Sequence, residues 1–184
     1  MATVRKEFRS SRSADEVWAV LRGTTIERAA RADSWLEEAA RLIAGSGEPA
    51  DRLARIFAFV VRKIAPASSP DDAVSALLLG QGERTALLLA LARAAGLDAA
   101  PVALQLVTQL KPEVPDGNAW RITAVRVRIG EREHYAIVDG NAVLDRLPPA
   151  ARDAAVLDLS RRASGPRRSR LPDSAIDAAT LTLQ

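Results

Sequence analysis

Glu83-Arg-Thr-Ala-Leu-Leu-Leu-Ala-Leu-Ala-Arg-Ala-Ala95, closed by Gly96, is the stretch that decides the fold. Its first residues are polar, but from Ala86 to Ala92 every residue is apolar, whichever way a helix turns it. A surface helix shows one apolar stripe; a helix apolar all round belongs at the centre of a domain. The spacing therefore predicts a buried helix over Glu83–Ala95, and the remaining elements must be arranged to cover it.

On the N-terminal side the sequence reads as helices. Ser13-Ala-Asp-Glu16 has the capping-box pattern, with Val17, Trp18, Val20 and Leu21 as an apolar stripe and Gly23 as the expected stop. Ser34-Trp-Leu-Glu37 repeats the signature after Asp33, and that helix is expected to run through Leu42 and Ile43 to Gly45. Glu48-Pro49 opens a third helix, in which Leu53, Ile56, Phe57, Val60, Val61 and Ile64 recur at helical spacing. Ser69-Pro70-Asp71-Asp72 predicts a fourth start, with a capping hydroxyl, a proline in the first turn and acids facing the helix dipole. This helix carries Val74, Leu77 and Leu78 and ends near Gly80.

On the C-terminal side the period changes. Pro101–Val107 is a strand candidate, followed by a loop through Asp116-Gly117. Ile122–Ile129 alternates, with Val125, Val127 and Ile129 on one face and Arg126 and Arg128 on the other. Gly130-Glu131 turns the chain into His134–Asp139, predicting a hairpin that Asn141–Leu144 continues. Leu147-Pro148-Pro149 starts a loop or short helix, Ala155–Leu159 reads as a last short strand, and Ala178–Gln184 reads as the beginning of another. Helices first and an antiparallel sheet afterwards is the α+β pattern, with the central helix packed on a small sheet.

Composition narrows the chemistry. At 184 residues and 48% apolar, the chain can bury a real core. It has no cysteine, which excludes disulfides, thiolate metal sites and a cysteine nucleophile, and its one histidine, His134, leaves little for an imidazole metal site or a triad. No cofactor and no metal are expected. The basic balance is local: removing the five arginines of the Arg161–Arg170 run from a formal charge of +3 leaves −2. That run reads either as a solvated linker or as a contact to phosphate or anionic membrane headgroups. No apolar run is long enough to span a membrane, and the start lacks the apolar core of a signal peptide.

A glycine-bounded turn ahead of a buried helix, with a sheet behind it, is the layout of papain-like enzymes. There a helix N-terminus lowers a thiol pKa, and its N–H groups hold an oxyanion. Ala76–Ala99 resembles the core motif of bacterial transglutaminase-like proteins: a Gly-rich turn, the cysteine, a few polar residues, a Leu/Ala-rich helix and a Leu-Arg-Ala-Ala-Gly ending. Leu91-Ala-Arg93-Ala-Ala-Gly96-Leu-Asp-Ala99 and Pro101-Val102 match its end. The resemblance covers about Asp33 to Leu159. It implies a transglutaminase-like domain over 33–160, an extension with a first helix over 1–32, and an Arg-rich linker with a following segment over 161–184. Asp139-Gly140 with Leu147-Pro148-Pro149 resembles the subgroup found in large bacterial envelope proteins, which implies a periplasmic or envelope setting if the domain belongs to such a protein, and otherwise a cytoplasmic one.

The resemblance also places the catalytic positions. Counting back from Arg93, Gln81 stands where the family has its nucleophile. Gly80, Gly82, Glu83 and Arg84 cannot replace a thiolate, and Thr85 lies too far into the helix. The family histidine falls near Arg121 or Trp120, and Asp139 matches the acid that orients it. The orienter is kept while nucleophile and base are gone, and either loss alone abolishes thiol chemistry. Gln81, Trp120, Arg121 and Asp139 then line an old cleft that either holds a peptide carboxylate or amide or is an ordinary surface. Arg121 and Asp139 are candidates for a salt bridge across it. His134 is expected at a solvated hairpin edge rather than as a displaced base, and Trp18, Trp35 and Trp120 in helix packing. The expected function is a non-catalytic scaffold or interaction module whose partner is another protein or a peptide. Binding of nucleic acid or an anionic surface through Arg161–Arg170 is the alternative, with an oxygen-nucleophile hydrolase behind it.

Overall fold

Helices precede the sheet, and the computed structural model describes them over residues 14–105, 120, 122–140, 142–147, 154–160 and 168–172. The helices are α1 (Ala14–Ala29), α2 (Ser34–Ala44), α3 (Pro49–Lys63), α4 (Ala73–Leu79) and α5 (Arg84–Ala94). The strands are β1 (Ala65–Pro66), β2 (Gln81–Gly82), β3 (Asp98–Gln105), β4 (Ile122–Ile129), β5 (Arg132–Ile137), β6 (Val143–Leu144), β7 (Ala155–Asp158) and β8 (Arg168–Arg170). One antiparallel sheet has the order β6-β5-β4-β3-β7-β8, while β1 and β2 form a separate parallel pair. The architecture is α+β, as the succession of periods predicts.

The all-apolar helix lies at the centre. Thr85 through Ala92 are buried, with Leu87, Leu88, Leu89 and Leu91 at 0% exposure. At about 2 kcal/mol for each fully buried leucine, this segment contributes heavily to the core. α5 packs against α1, α2, α3 and α4 on one side and β3 and β4 on the other. The sheet presents small and β-branched residues to it: Ala99, Ala103, Val125, Val127, Ala136 and Val138. Alternate residues point the other way, as a pleat requires. Val102, Leu104, Ala124, Tyr135 and Ile137 form a second cluster on the outer face, covered by Leu147, Ala154 and Leu171.

Arg126 lies on that outer face, as the alternation of β4 predicts. Its side chain crosses β3 beside Ala100 and meets Asp158 of β7 at 2.9 Å, with Glu133 of β5 at 3.8 Å. The Tyr135 hydroxyl donates to Glu133 at 2.8 Å. Burial, then the adjoining carboxylate, push the phenol pKa well above its ordinary range.

Several boundaries differ from the expectation. Gly23 does not stop the first helix; it sits inside α1, where a Cβ would stand 2.1 Å from the Leu159 carbonyl oxygen. Glycine is there for close approach to the chain after β7, not as a breaker. In α2 the cap is Asp33, whose carboxylate accepts from Trp35 N at 2.8 Å, rather than Ser34. The fourth helix begins at Ala73, with Asp72 accepting from Ser75 N at 2.8 Å, so Ser69 and Pro70 lie ahead of it. β3 begins at Asp98 rather than Pro101. Arg168–Arg170, the end of the arginine run, pairs with β7 as an edge strand. Trp35 is 64% exposed instead of packed, and Trp120 is buried as expected. The Asp116-Gly117 loop, Arg161–Arg167, Asn141, Pro148-Pro149 and Ala178–Gln184 lie outside the described residues.

Candidate functional site

The chain entering α5 is held straight. Ala65 pairs with Gln81 and Pro66 with Gly82 in the parallel β1–β2 pair. Ala65 N donates to Gly80 O at 2.8 Å, Ala67 N to Gly82 O at 3.2 Å, and Glu83 N to Pro70 O at 3.1 Å. Only glycine fits at 82: its φ is +146°, and a Cβ would meet the Pro70 carbonyl oxygen at 2.7 Å and the Ala76 Cβ at 2.8 Å.

Glu83 then caps the helix. Its carboxylate accepts from Ala86 N at 2.6 Å, so a negative charge rests where the free N–H groups and the helix dipole favour one. A side chain of the protein thus fills the N-terminal cap of α5.

Arg84 ties this end of α5 to its neighbours. Its Nε donates to Ile64 O at 2.7 Å and its Nη2 to Val61 O at 3.1 Å and to Ile64 O, so the guanidinium closes the C-terminus of α3. Its Nη1 reaches Val138 O at 3.4 Å, at the exit of β5. That anchor fixes Asp139 beside α5, where the Thr85 hydroxyl donates to Asp139 Oδ2 across a long 3.5 Å. Asp139 and the start of α5 are thus brought together.

An open cleft of about 500 Å³ adjoins this end of α5. α1 supplies one wall with Arg22, Thr25, Ile26 and Ala29, and the segment Pro66–Ser68 with Asp71 supplies another. Gly82, Glu83 and Asp139 complete it. Three carboxylates, Asp71, Glu83 and Asp139, face one guanidinium, Arg22, which reaches Thr123 Oγ1 at 3.4 Å. The cleft is therefore acidic, although the chain as a whole is basic.

The expected site residues separate on this scaffold. Asp139 lines the cleft. Gln81 is exposed on β2, two residues ahead of the cap, and is not part of the lining. Trp120 is 2% exposed and belongs to the core, so it does not face the cleft. Arg121, and with it the proposed Arg121–Asp139 salt bridge, lies outside the described residues. His134 is more covered than expected, its side chain 13% exposed and its Nδ1 2.9 Å from Asp145 Oδ1. It stands up the strand from Asp139, about 16 Å along an extended chain. Thr85 is the one hydroxyl at the helix start, and it is fully buried with Asp139 as its partner. Among the described residues no group of three or more His, Asp or Glu could hold a metal ion, and no helix is long and apolar enough to cross a membrane.

Sequence reasoning alone misses the cleft walls, Arg22, Thr25, Ile26 and Ala29 of α1 and the residues 66–68 with Asp71. A first helix ending at Gly23 leaves Thr25, Ile26 and Ala29 outside it. Glu83 is a helix-start residue that cannot act as a nucleophile, and its spacing three before Ala86 is the available signal for a cap.

No family model matches this sequence, and no curated protein matches it. Among solved structures, the chain is similar to a proposed protease from Parabacteroides distasonis, at 15% identity and a TM-score of 0.58. The similarity covers 79% of this chain and 30% of that one, so the chain spans under a third of its structural relative. At this identity the likeness is one of fold alone.

Proposed function

We propose that this chain is a non-catalytic, transglutaminase-like domain that acts as a protein- or peptide-interaction module of a larger bacterial envelope protein, through the cleft at the start of α5. One observation carries the reading. At the helix N-terminus, beside an open cleft, the Glu83 carboxylate accepts from Ala86 N, so a carboxylate of the protein already sits where the helix dipole would favour a nucleophile or oxyanion. A chain with no cysteine cannot run thiol chemistry there. Among the described residues the oxygen-nucleophile alternative finds little support: Thr85 is buried against Asp139, and His134 is engaged with Asp145.

The charge of the cleft indicates the kind of segment it would take. Asp71 is exposed, and Asp71, Glu83 and Asp139 outnumber Arg22, so an extended peptide carrying lysine or arginine is the complementary ligand. The test uses the full chain and two fluorescein-labelled peptides, one of alternating lysine and alanine and one of alternating glutamate and alanine. The expected result is binding of the first alone, weakened about tenfold in the Asp71→Asn/Asp139→Asn double variant and weakened by salt. Equal binding of both peptides, or binding unaffected by the double variant, would remove the cleft from the account. Turnover of an amide or amine substrate by the purified chain, lost in Thr85→Val, would overturn the non-catalytic reading.

A further inference from the structure

Arg52, Arg84, Arg93 and Arg126 are half-buried arginines that the fold itself holds. Arg93 and Arg126 each grip a carboxylate, of Glu27 at 2.6 Å and of Asp158 at 2.9 Å. Arg52 and Arg84 donate to backbone carbonyls, of Ala95 at 2.8 Å and of Ile64 at 2.7 Å. Arg22 is half-buried too, but among the described residues its guanidinium reaches only the Thr123 hydroxyl, at a long 3.4 Å. It shares the cleft with Asp71, Glu83 and Asp139, yet among the described residues it forms an ion pair with none of them. Two of those acids are engaged elsewhere: Glu83 accepts from Ala86 N, and Asp139 from the Thr85 hydroxyl. A guanidinium carries five N–H donors in a planar fork that fits a carboxylate through two parallel bonds. The α1 wall therefore offers that fork to whatever enters the cleft.

We propose that the cleft binds the C-terminal end of a peptide that finishes in lysine or arginine, with the terminal carboxylate on Arg22. This rests on the reading of the cleft as a peptide site and names the part of the peptide that enters. The interior of a basic peptide has nothing for Arg22, whose charge would repel it. A free chain end supplies both signs at once: a carboxylate for Arg22 and a cationic side chain for Asp71 and Asp139. Ile26 and Ala29 of α1, with Pro66 and Ala67, give the aliphatic stem of that side chain an apolar wall. The size agrees, since about 500 Å³ suits a compact ligand of a few residues rather than a long segment.

The test uses the full chain and the peptide Ala-Lys-Ala-Lys, labelled with fluorescein at its N-terminus. The peptide is made once with a free carboxyl end and once with a carboxamide. An acidic cleft by itself favours the amide, which carries one more positive charge. The expected result is the opposite order, the acid binding about tenfold tighter, as a charge-assisted pair with a half-buried guanidinium gives. Arg22→Gln is expected to remove that preference without weakening the amide, and Asp71→Asn/Asp139→Asn to weaken both peptides. Circular dichroism and melting check the folding of Arg22→Gln, and the comparison of acid with amide on the parent chain stands even where that variant does not fold. Equal binding of the two peptides, or tighter binding of the amide, overturns the chain-end site and leaves the cleft as a site for internal basic segments. A preference for the acid that survives Arg22→Gln overturns the role of Arg22. Binding of neither peptide removes the peptide reading of the cleft, and the chain-end site with it.

Discussion

The two ends of α5 belong to one helix and have opposite fates. At its C-terminal end Arg93 lies across to α1, its Nη1 and Nη2 on the two carboxylate oxygens of Glu27 at 2.6 and 2.9 Å, and its Nε donates to Ala99 O at 3.0 Å. Ala95 N, Gly96 N and Leu97 N all find carbonyls of the last turn, so this end is closed by the chain itself. At its N-terminal end the polar groups Glu83, Arg84 and Asp139 meet beside an open cleft. The middle of the helix, apolar on every side, holds both ends where they are. A buried helix therefore lets a fold keep its packing at one end while the other end changes its chemistry, because packing and chemistry are carried by residues a dozen positions apart.

The largest expected effect removes the helix that both ends share. Leu88→Ala leaves a cavity at a fully buried site and is expected to cost about 3 kcal/mol, measured as a drop in the denaturation midpoint. A loss under 1 kcal/mol would mean that α5 is not the centre of the core. Next, the two arginines separate the ends. Arg84→Ala strips donors from three backbone carbonyls and is expected to cost about 2 kcal/mol. Arg93→Ala breaks a partly exposed bidentate pair, with side chains 34% and 22% exposed, and is expected to cost about 1 kcal/mol. The reverse order would place the tighter anchor at the closed end.

Glu83→Ala removes the cap and is expected to lower stability by about 1 kcal/mol, while Glu83→Asp keeps part of it. The smallest effect is a pH dependence at the neighbouring cap. Hydrogen bonds from the Ser75 backbone, then the Ser75 side chain, hold the Asp72 carboxyl below its ordinary range. A depressed folded-state pKa gives stability that is present above the unfolded value and lost as pH falls through the folded one. The melting difference between the parent chain and Asp72→Ala is therefore expected to be present at pH 6 and to narrow below about pH 4. A difference that stays constant down to pH 2 would show that the charge of Asp72 plays no part in the cap.

Much of the frame can be read from residue order alone. A run from Ala86 to Ala92 with no polar residue can only be buried, and the alternation of β4 assigns Val125 and Arg126 to opposite faces before any partner is known. The helix of α3 and the Gly45 end of α2 are equally plain, because caps and stripes are local chemistry. The same local rules failed at Gly23, where a residue that ends most helices continues one. Its reason is the carbonyl of Leu159, 136 positions later, and no window of sequence contains it.

The cleft shows the same limit. Asp139 lies beside the start of α5, whereas Trp120 is buried in the core. Ile26 enters the cleft only because α1 runs on past Gly23, and Arg22 because α1 lies against α5. By itself the sequence determined the α+β order, the buried helix and the absence of any thiol, since these depend on residue type and on spacing within a few turns. Tertiary structure alone decided which carboxylates share a cleft, which end of α5 is open and which tryptophan stays in water. Those are distances between residues far apart in the chain, and they are set only when the core closes around α5.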